Sequence, residues 1–498
     1  MGVLHRRLSL AIFIAVLALI SAGVLVYSET VSFVWDEGFH LVAAQLINAG
    51  KTPYIDFCFP QPPLNAYLNA GLMRLFGQGW HVTHAAAGLF VVGAMILMAD
   101  FVRRRFPIRE WRMAAALVVA TVVGLDVVVV QFGTSAQAYG IGMFLAVAAF
   151  RCMVAGAERP RAWFSLAAGL LAGSAGASTL LTAPIIPILL VWLWIYNRDG
   201  DRRIKAIVFI AGVVIPFAPV FWLLVKARRQ TFFNVVEYQA LFRRVNWGDV
   251  GAHDVDVLSD WLASTQALVM GLLAIAGLLY LWKNRHCEET RRSEIYLAAW
   301  LAIGLGVYIA TAHPTFGRYF VFMIPFTAVL AVIGLYSVGS RLTANGRPFW
   351  PAAVVIALTA LSFGKALFDD RNSTTWKDYQ QIADQVKKVT PPHKLYYADE
   401  LVYFLLRQAP PSGMEFSYSH KLQLPAQQER LYHIVSLDEL KKQVAAGRFY
   451  TVQTCKDEFI DDFRLDDLFP NEKDVADCWV YWGEVKGGSG SSGPAVAK

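Results

Sequence analysis

Only 17 % of the 498 residues are charged, against about a quarter in soluble domains. So little charge leaves too little polar surface for a water-soluble globule and excludes that class. Cysteine is scarce too. The five residues show no Cys-x-x-Cys spacing and no Cys/His cluster, which excludes a cysteine-built metal site. Internal repeats are missing, and the polar C-terminal region carries no nucleophile motif or phosphate loop. The net charge of +7 does not signal nucleic acid, because most Lys and Arg sit in short connectors between apolar runs.

What is present in excess is hydrocarbon: 56 % of the chain is hydrophobic. Apolar runs of a length that crosses roughly 30 Å of bilayer fall at 8–27, 82–102, 112–131, 138–156, 163–180, 183–196, 206–225, 262–282, 294–311, 319–338 and 350–367. The fold class expected is an α-helical polytopic membrane protein with about eleven spans, of which 183–196 is short and Pro-rich. His5, Arg6 and Arg7 precede the first run as in a signal peptide. That run is long for a signal core and ends in no small-x-small site, so it reads as an uncleaved span. With the N-terminus inside, the connectors at 103–112, 158–161, 198–205, 283–292 and 341–347 are all cytoplasmic and all basic, as topology requires. The C-terminus then lies outside. One outer loop, 226–261, breaks the rule with Lys226, Arg228, Arg229, Arg243 and Arg244. Two readings stand: contact with lipid headgroups, or a site for a phosphate-bearing lipid.

The first outer loop, 28–81, opens on Trp35-Asp36-Glu37-Gly38-Phe39-His40. Phe39, Val42, Ala43, Leu46 and Ile47 make one apolar face of a helix that Gly50 ends, predicted to lie along the membrane surface. Asp36 falls at its N-cap, where free N–H groups and the helix dipole favour an ionised carboxylate. It is either a cap and nothing more, or a base kept deprotonated at a water–lipid boundary. Tyr54, Asp56 and a Pro60-Gln61-Pro62-Pro63 stretch follow, then a second amphipathic helix from Leu64 to Phe76 stopped by Gly77.

The order of span, Asp36-Glu37, surface helix, Pro62-Pro63-Leu64, Leu75-Phe76-Gly77, span and basic loop resembles the membrane glycosyltransferases of the C superfamily. Within it, the branch of protein O-mannosyltransferases, lipid A aminoarabinose transferases and bacterial galacturonosyl- and mannosyl-type relatives is most similar. The resemblance covers about 1–160 and returns at His313-Pro314-Thr315-Phe316-Gly317-Arg318-Tyr319-Phe320 followed by Pro325. It implies a polyprenyl-phosphate-linked sugar donor, transfer on the outer face of a bacterial inner membrane, and a lipid, glycan or protein acceptor in the cell envelope, such as lipopolysaccharide. Asp36 matches the family's catalytic base by position, with Glu37 assisting or, with Asp36, holding a divalent cation. Many relatives carry a second acid near the outer start of the fourth span. Gly133-Thr134-Ser135-Ala136-Gln137-Ala138-Tyr139 has none, which puts a second carboxylate in doubt and leaves Asp126 as its substitute or as a helix–helix bonding partner.

A single displacement with inversion follows from one base and an activated donor. Lys226, Arg228, Arg229, Arg243, Arg244 and Arg318 are candidates for the departing phosphate. His40, Tyr54, Asp56, Gln61, Tyr139, His313 and Tyr319 are candidates for substrate contact. No cofactor is required, and a divalent cation is allowed.

The expected domains are a transmembrane glycosyltransferase domain (1–368), an extracytoplasmic α/β domain (369–486) and a Gly/Ser-rich tail (487–498). In the second, Trp376, Tyr379, Ile382, Ala383 and Val386 mark a helix, 394–398 and 448–454 read as strands, and Ser436–Glu439 reads as a capping box. Cys455 and Cys478 are free to pair in an oxidising compartment. Cys58 is a third outer thiol, while Cys152 and Cys287 fall inside. A flippase for a lipid-linked sugar is the main rival, although it predicts repeats that are missing. A glycan ligase or polymerase, which carries a large late outer loop, is the other.

Overall fold

The computed structural model describes residues 2–158, 161–196, 201–245, 247–286, 293–343, 346 and 348–486. Parts of four basic connectors (158–161, 198–205, 283–292, 341–347), Cys287 and the tail at 487–498 lie outside the described residues. The chain forms two compact units. One comprises Met1–Val34, Gln61–Lys226 and Trp247–Ser373; the other comprises Trp35–Pro60, Ala227–Asn246 and Thr374–Lys498.

The first unit is helical. Among the described residues, eight helices are long and apolar enough to cross a membrane, and a bent pair raises the number to nine. The runs at 163–180 and 183–196, expected to span, form shorter helices, Ala162–Ser178 and Leu180–Tyr196. At 1.5 Å per residue, the 17 residues of Ala162–Ser178 reach about 26 Å, less than the hydrocarbon thickness. Backbone-to-backbone packing helps hold the bundle. Gly277 and Gly334 let the helices Thr265–Lys283 and Ile324–Leu342 meet where a Cβ on either would strike the carbonyl oxygen of Leu330 or Leu273.

The bent pair occupies the third apolar run: Arg109–Gly124 and Val127–Gly133 meet at 52°. Asp126 stands at the break with extended backbone (φ −66°, ψ 127°) and caps the second helix, accepting from the N–H groups of Val128 (3.0 Å) and Val129 (3.1 Å). Gln266 closes the rest of the gap, accepting from Val127 N–H at 2.9 Å and donating to Leu125 O at 3.1 Å. Asp126 is therefore bonded within its own break, rather than to a neighbouring helix.

The second unit contains a four-stranded sheet. Its strands are β1 (Tyr396–Tyr397), β2 (Thr451–Thr454), β3 (Asn471–Val475) and β4 (Cys478–Trp482), in the order β1-β2-β4-β3. Only the β1–β2 pairing is parallel. The helix Trp376–Val389 buries Trp376, Tyr379, Ile382, Ala383 and Val386 and carries a complete capping box at Thr375 and Asp378. The capping box expected at Ser436–Glu439 does not form. Ser436 holds the N-cap position without a side-chain bond, and Glu439 instead accepts from Gln443. Cys455 and Cys478 form a disulfide between the end of β2 and the start of β4.

Three sequence-distant segments make this unit. Asn234 Oδ1 accepts from Phe59 N–H at 2.9 Å, Gln239 Nε2 donates to Pro60 O at 2.5 Å, and His433 Nε2 lies 2.7 Å from Ile55 O. Gln45 Nε2 donates to Gln408 O at 2.8 Å, Lys421 Nζ to Arg243 O at 2.7 Å, and Phe233 stacks on Tyr432 at 4.0 Å. Ten of the twelve residues of the helix Glu37–Asn48 are buried, including polar Glu37, His40 and Gln45. A partner supplied from beyond residue 400 covers its polar side, which the local pattern cannot reveal.

Candidate functional site

Asp36 precedes the Glu37–Asn48 helix, yet its side chain makes no cap bond, and its backbone is already helical (φ −67°, ψ −9°). An N-cap normally adopts extended backbone so that its oxygen can turn back onto the helix N–H groups. Here the carboxylate is directed elsewhere. Half-exposed, it accepts at Oδ1 a hydrogen bond from the Tyr418 hydroxyl, 382 residues away in sequence. Trp35 beside it is 47 % exposed and meets Tyr379 edge-on at 5.2 Å.

Glu37 diverges from its neighbour: it is fully buried, so the adjacent acids do not present a paired face. Among the described residues no three His, Cys, Asp or Glu are placed to share a metal ion. Asp36 and Glu37 are two carboxylates, fewer than such a set needs. His40 lies against Phe39 (4.2 Å) and Phe59 (5.7 Å), and burial pushes its ring down to about 3, so it is neutral at physiological pH.

Tyr54, expected to meet substrate, is fully buried in a left-handed turn (φ 70°) and its ring is not presented to a ligand in this form. Asp56 accepts from the backbone N–H of Thr52 at 2.7 Å, closing that turn. Cys58 is buried 3.5 Å from Asn234 Oδ1, and burial pushes its thiol up. Arg228, Arg229 and Arg244 of this unit are exposed and Arg243 is half-buried.

The remaining candidates belong to the first unit. Lys226 is exposed at the end of the helix Ala218–Lys226, and Gln61 is half-buried. The Arg318 guanidinium lies over the rings of Phe316 (4.5 Å) and Tyr319 (6.0 Å), and Tyr139 faces Tyr319 at 6.4 Å. Tyr319 is itself buried. His313 bonds through Nδ1 to the buried carboxylate of Asp254, whose other oxygen accepts Thr315 N–H at 2.6 Å. The structure therefore gathers Arg318, Tyr319 and Tyr139 around one aromatic cluster. It also adds Asp254 to His313, a pairing the sequence reading missed.

No family of proteins and no curated protein matches this chain by sequence. Among solved structures, ArnT from Cupriavidus metallidurans bound to undecaprenyl phosphate superposes with a TM-score of 0.65 at 16 % identity, over 95 % of this chain and 97 % of that one. The chain has the ArnT fold. The Archaeoglobus fulgidus oligosaccharyltransferase, in complex with Zn and sulfate, is similar at a TM-score of 0.55 and 15 % identity, over 88 % of this chain and 67 % of its own. The same oligosaccharyltransferase tethered to an acceptor peptide matches at 0.50 and 13 %. The polytopic helical fold with a small C-terminal sheet is thus shared with ArnT over 95 % of this chain, although five residues in six differ.

Tyr418 was not among the residues singled out from sequence. It stands in Phe416-Ser417-Tyr418-Ser419, a stretch with no periodicity and no motif. Only the closure of the second unit around Asp36 gives it meaning.

Proposed function

We propose that the protein is a glycosyltransferase of the bacterial inner membrane, moving a sugar from a polyprenyl-phosphate donor to an acceptor on the outer face. The observation that carries this reading is the fold shared over 95 % of the chain with an ArnT bound to undecaprenyl phosphate. Asp36 supports it, since its carboxylate serves no helix cap and is half-exposed. In the proposed step Asp36 takes the proton of an acceptor hydroxyl or amine as that atom bonds to the anomeric carbon. The carbon–oxygen bond to the lipid phosphate breaks, and polyprenyl phosphate leaves with the electron pair. One displacement inverts the anomeric centre. Guanidinium groups suit the leaving phosphate because each offers two parallel donors. Arg228, Arg229, Arg243, Arg244 and Arg318, with Lys226, are the candidates. The segment 369–486 is proposed as the extracytoplasmic domain that recognises acceptor.

The test is transfer by purified, lipid-reconstituted protein offered a panel of polyprenyl-phosphate sugars, for wild type and Asp36→Asn. Turnover lost in the variant supports enzyme and base together. Turnover that survives keeps the enzyme class and moves the base elsewhere. Donor crossing the bilayer without transfer would replace this reading with a flippase.

A further inference from the structure

We infer that Tyr418 is a positioning residue for Asp36, setting the carboxylate's orientation for proton abstraction. This rests on the proposed role of Asp36. A carboxylate at a helix start is ordinarily oriented by the N–H groups of its own helix, and Asp36 makes no such bond. The Tyr418 hydroxyl donates to Oδ1 instead, so a group remote in sequence sets its direction.

Tyr418 is itself held from both sides. Phe416, buried, packs between Phe39 (5.0 Å) and Tyr238 (5.6 Å). The Ser417 N–H donates to Glu400 Oε1 at 2.7 Å, Ser419 Oγ donates back to Phe416 O at 2.7 Å, and His420 Nδ1 meets Val435 O at 2.5 Å. Glu400 opens the helix Glu400–Leu406, which packs on the first turn after Asp36. A Cβ on Gly38 would stand 3.0 Å from Glu400 Cβ and 3.1 Å from Leu401 Cγ. A closed circuit results: Asp36 starts the helix, Gly38 admits Glu400, Glu400 fixes Ser417, and Ser417 aims Tyr418 at Asp36. Every link is a packed or hydrogen-bonded contact, so the hydroxyl arrives pre-oriented and costs little reorganisation.

The experiment is the Tyr418→Phe variant, which removes one oxygen from a side chain 45 % exposed, assayed against wild type in reconstituted protein. The expected result is a kcat about tenfold lower with the acceptor KM within a factor of about two. A contact with a merely structural role would lower the thermal midpoint and leave kcat of the folded protein in place. Unchanged kcat would overturn the inference, as would faster turnover, which would make Tyr418 an obstacle at Asp36. Wild type inactive with every donor overturns the functional reading and this inference together; an active wild type with an indifferent Tyr418→Phe overturns this inference alone. An unchanged thermal midpoint shows that the variant is folded.

Discussion

Two aspartates stand at helix starts and use their carboxylates in opposite ways. Asp126 takes the extended backbone of a cap and gives one oxygen to two N–H groups at the break in its apolar run. Asp36 takes helical backbone, makes no side-chain cap bond, and meets a phenol from a distant segment. A capping carboxylate is committed to the backbone it satisfies. One that does not cap can serve a reacting proton. Sequence offers the same residue type in both places, and the difference lies in ψ, 127° against −9°.

The largest effect that sharpens this contrast is on turnover. Asp36→Asn should lower sugar transfer by about 10²–10⁴-fold, the span typical of a general base, while Asp126→Asn should leave the initial rate close to wild type. Equal losses in the two variants would erase the distinction. Next comes packing at the first turn after Asp36. Gly38→Val drives a branched side chain into Glu400 and Leu401, and should cost about 1–3 kcal/mol in thermal unfolding, with transfer falling as the 417–418 segment shifts. Third, Asp126→Ala removes a working cap and should cost about 1 kcal/mol. Asp36→Ala should cost less, since no cap is lost.

The smallest effect is a pH dependence of stability around the Tyr418 segment. Burial raises Glu415 from 4.5 to about 7, so the folded state holds its proton more tightly than the unfolded one. Its contribution is complete below 4.5 and is lost as pH rises through 7. Glu415→Gln should therefore gain on wild type over that window in unfolding midpoints. His40 acts in the opposite sense. Its value falls from 6.5 to about 3, so its contribution is present above 6.5 and lost as pH falls toward 3.

The apolar runs were legible because lipid imposes length and composition on each helix separately. Leu64–Phe76 was legible to its last residue, since a hydrophobic face and a following glycine at φ 105° are both local signals. The hairpin of β3 and β4 was not. Its outer strand Asn471–Val475 is exposed and does not alternate, and its turn puts Ala476 and Asp477 at φ 52° and 61°, where Asn-Gly is the usual signal. Asp36, the proposed base, could be singled out from its place after the first apolar run and from the order of motifs that carries the resemblance. Tyr418 and Asp254 could not, because what they do depends on partners 382 and 59 residues away.

That separation has a consequence for synthesis. A ribosome adding about 5–20 residues per second makes Asp36 about 20–80 s before it makes Tyr418, 382 residues later. Every earlier nascent chain carries the acid without the hydroxyl it meets in the folded protein. An interrupted chain thus holds the proposed base without its proposed positioning partner, and gains that partner only once the segment around Tyr418 has been made.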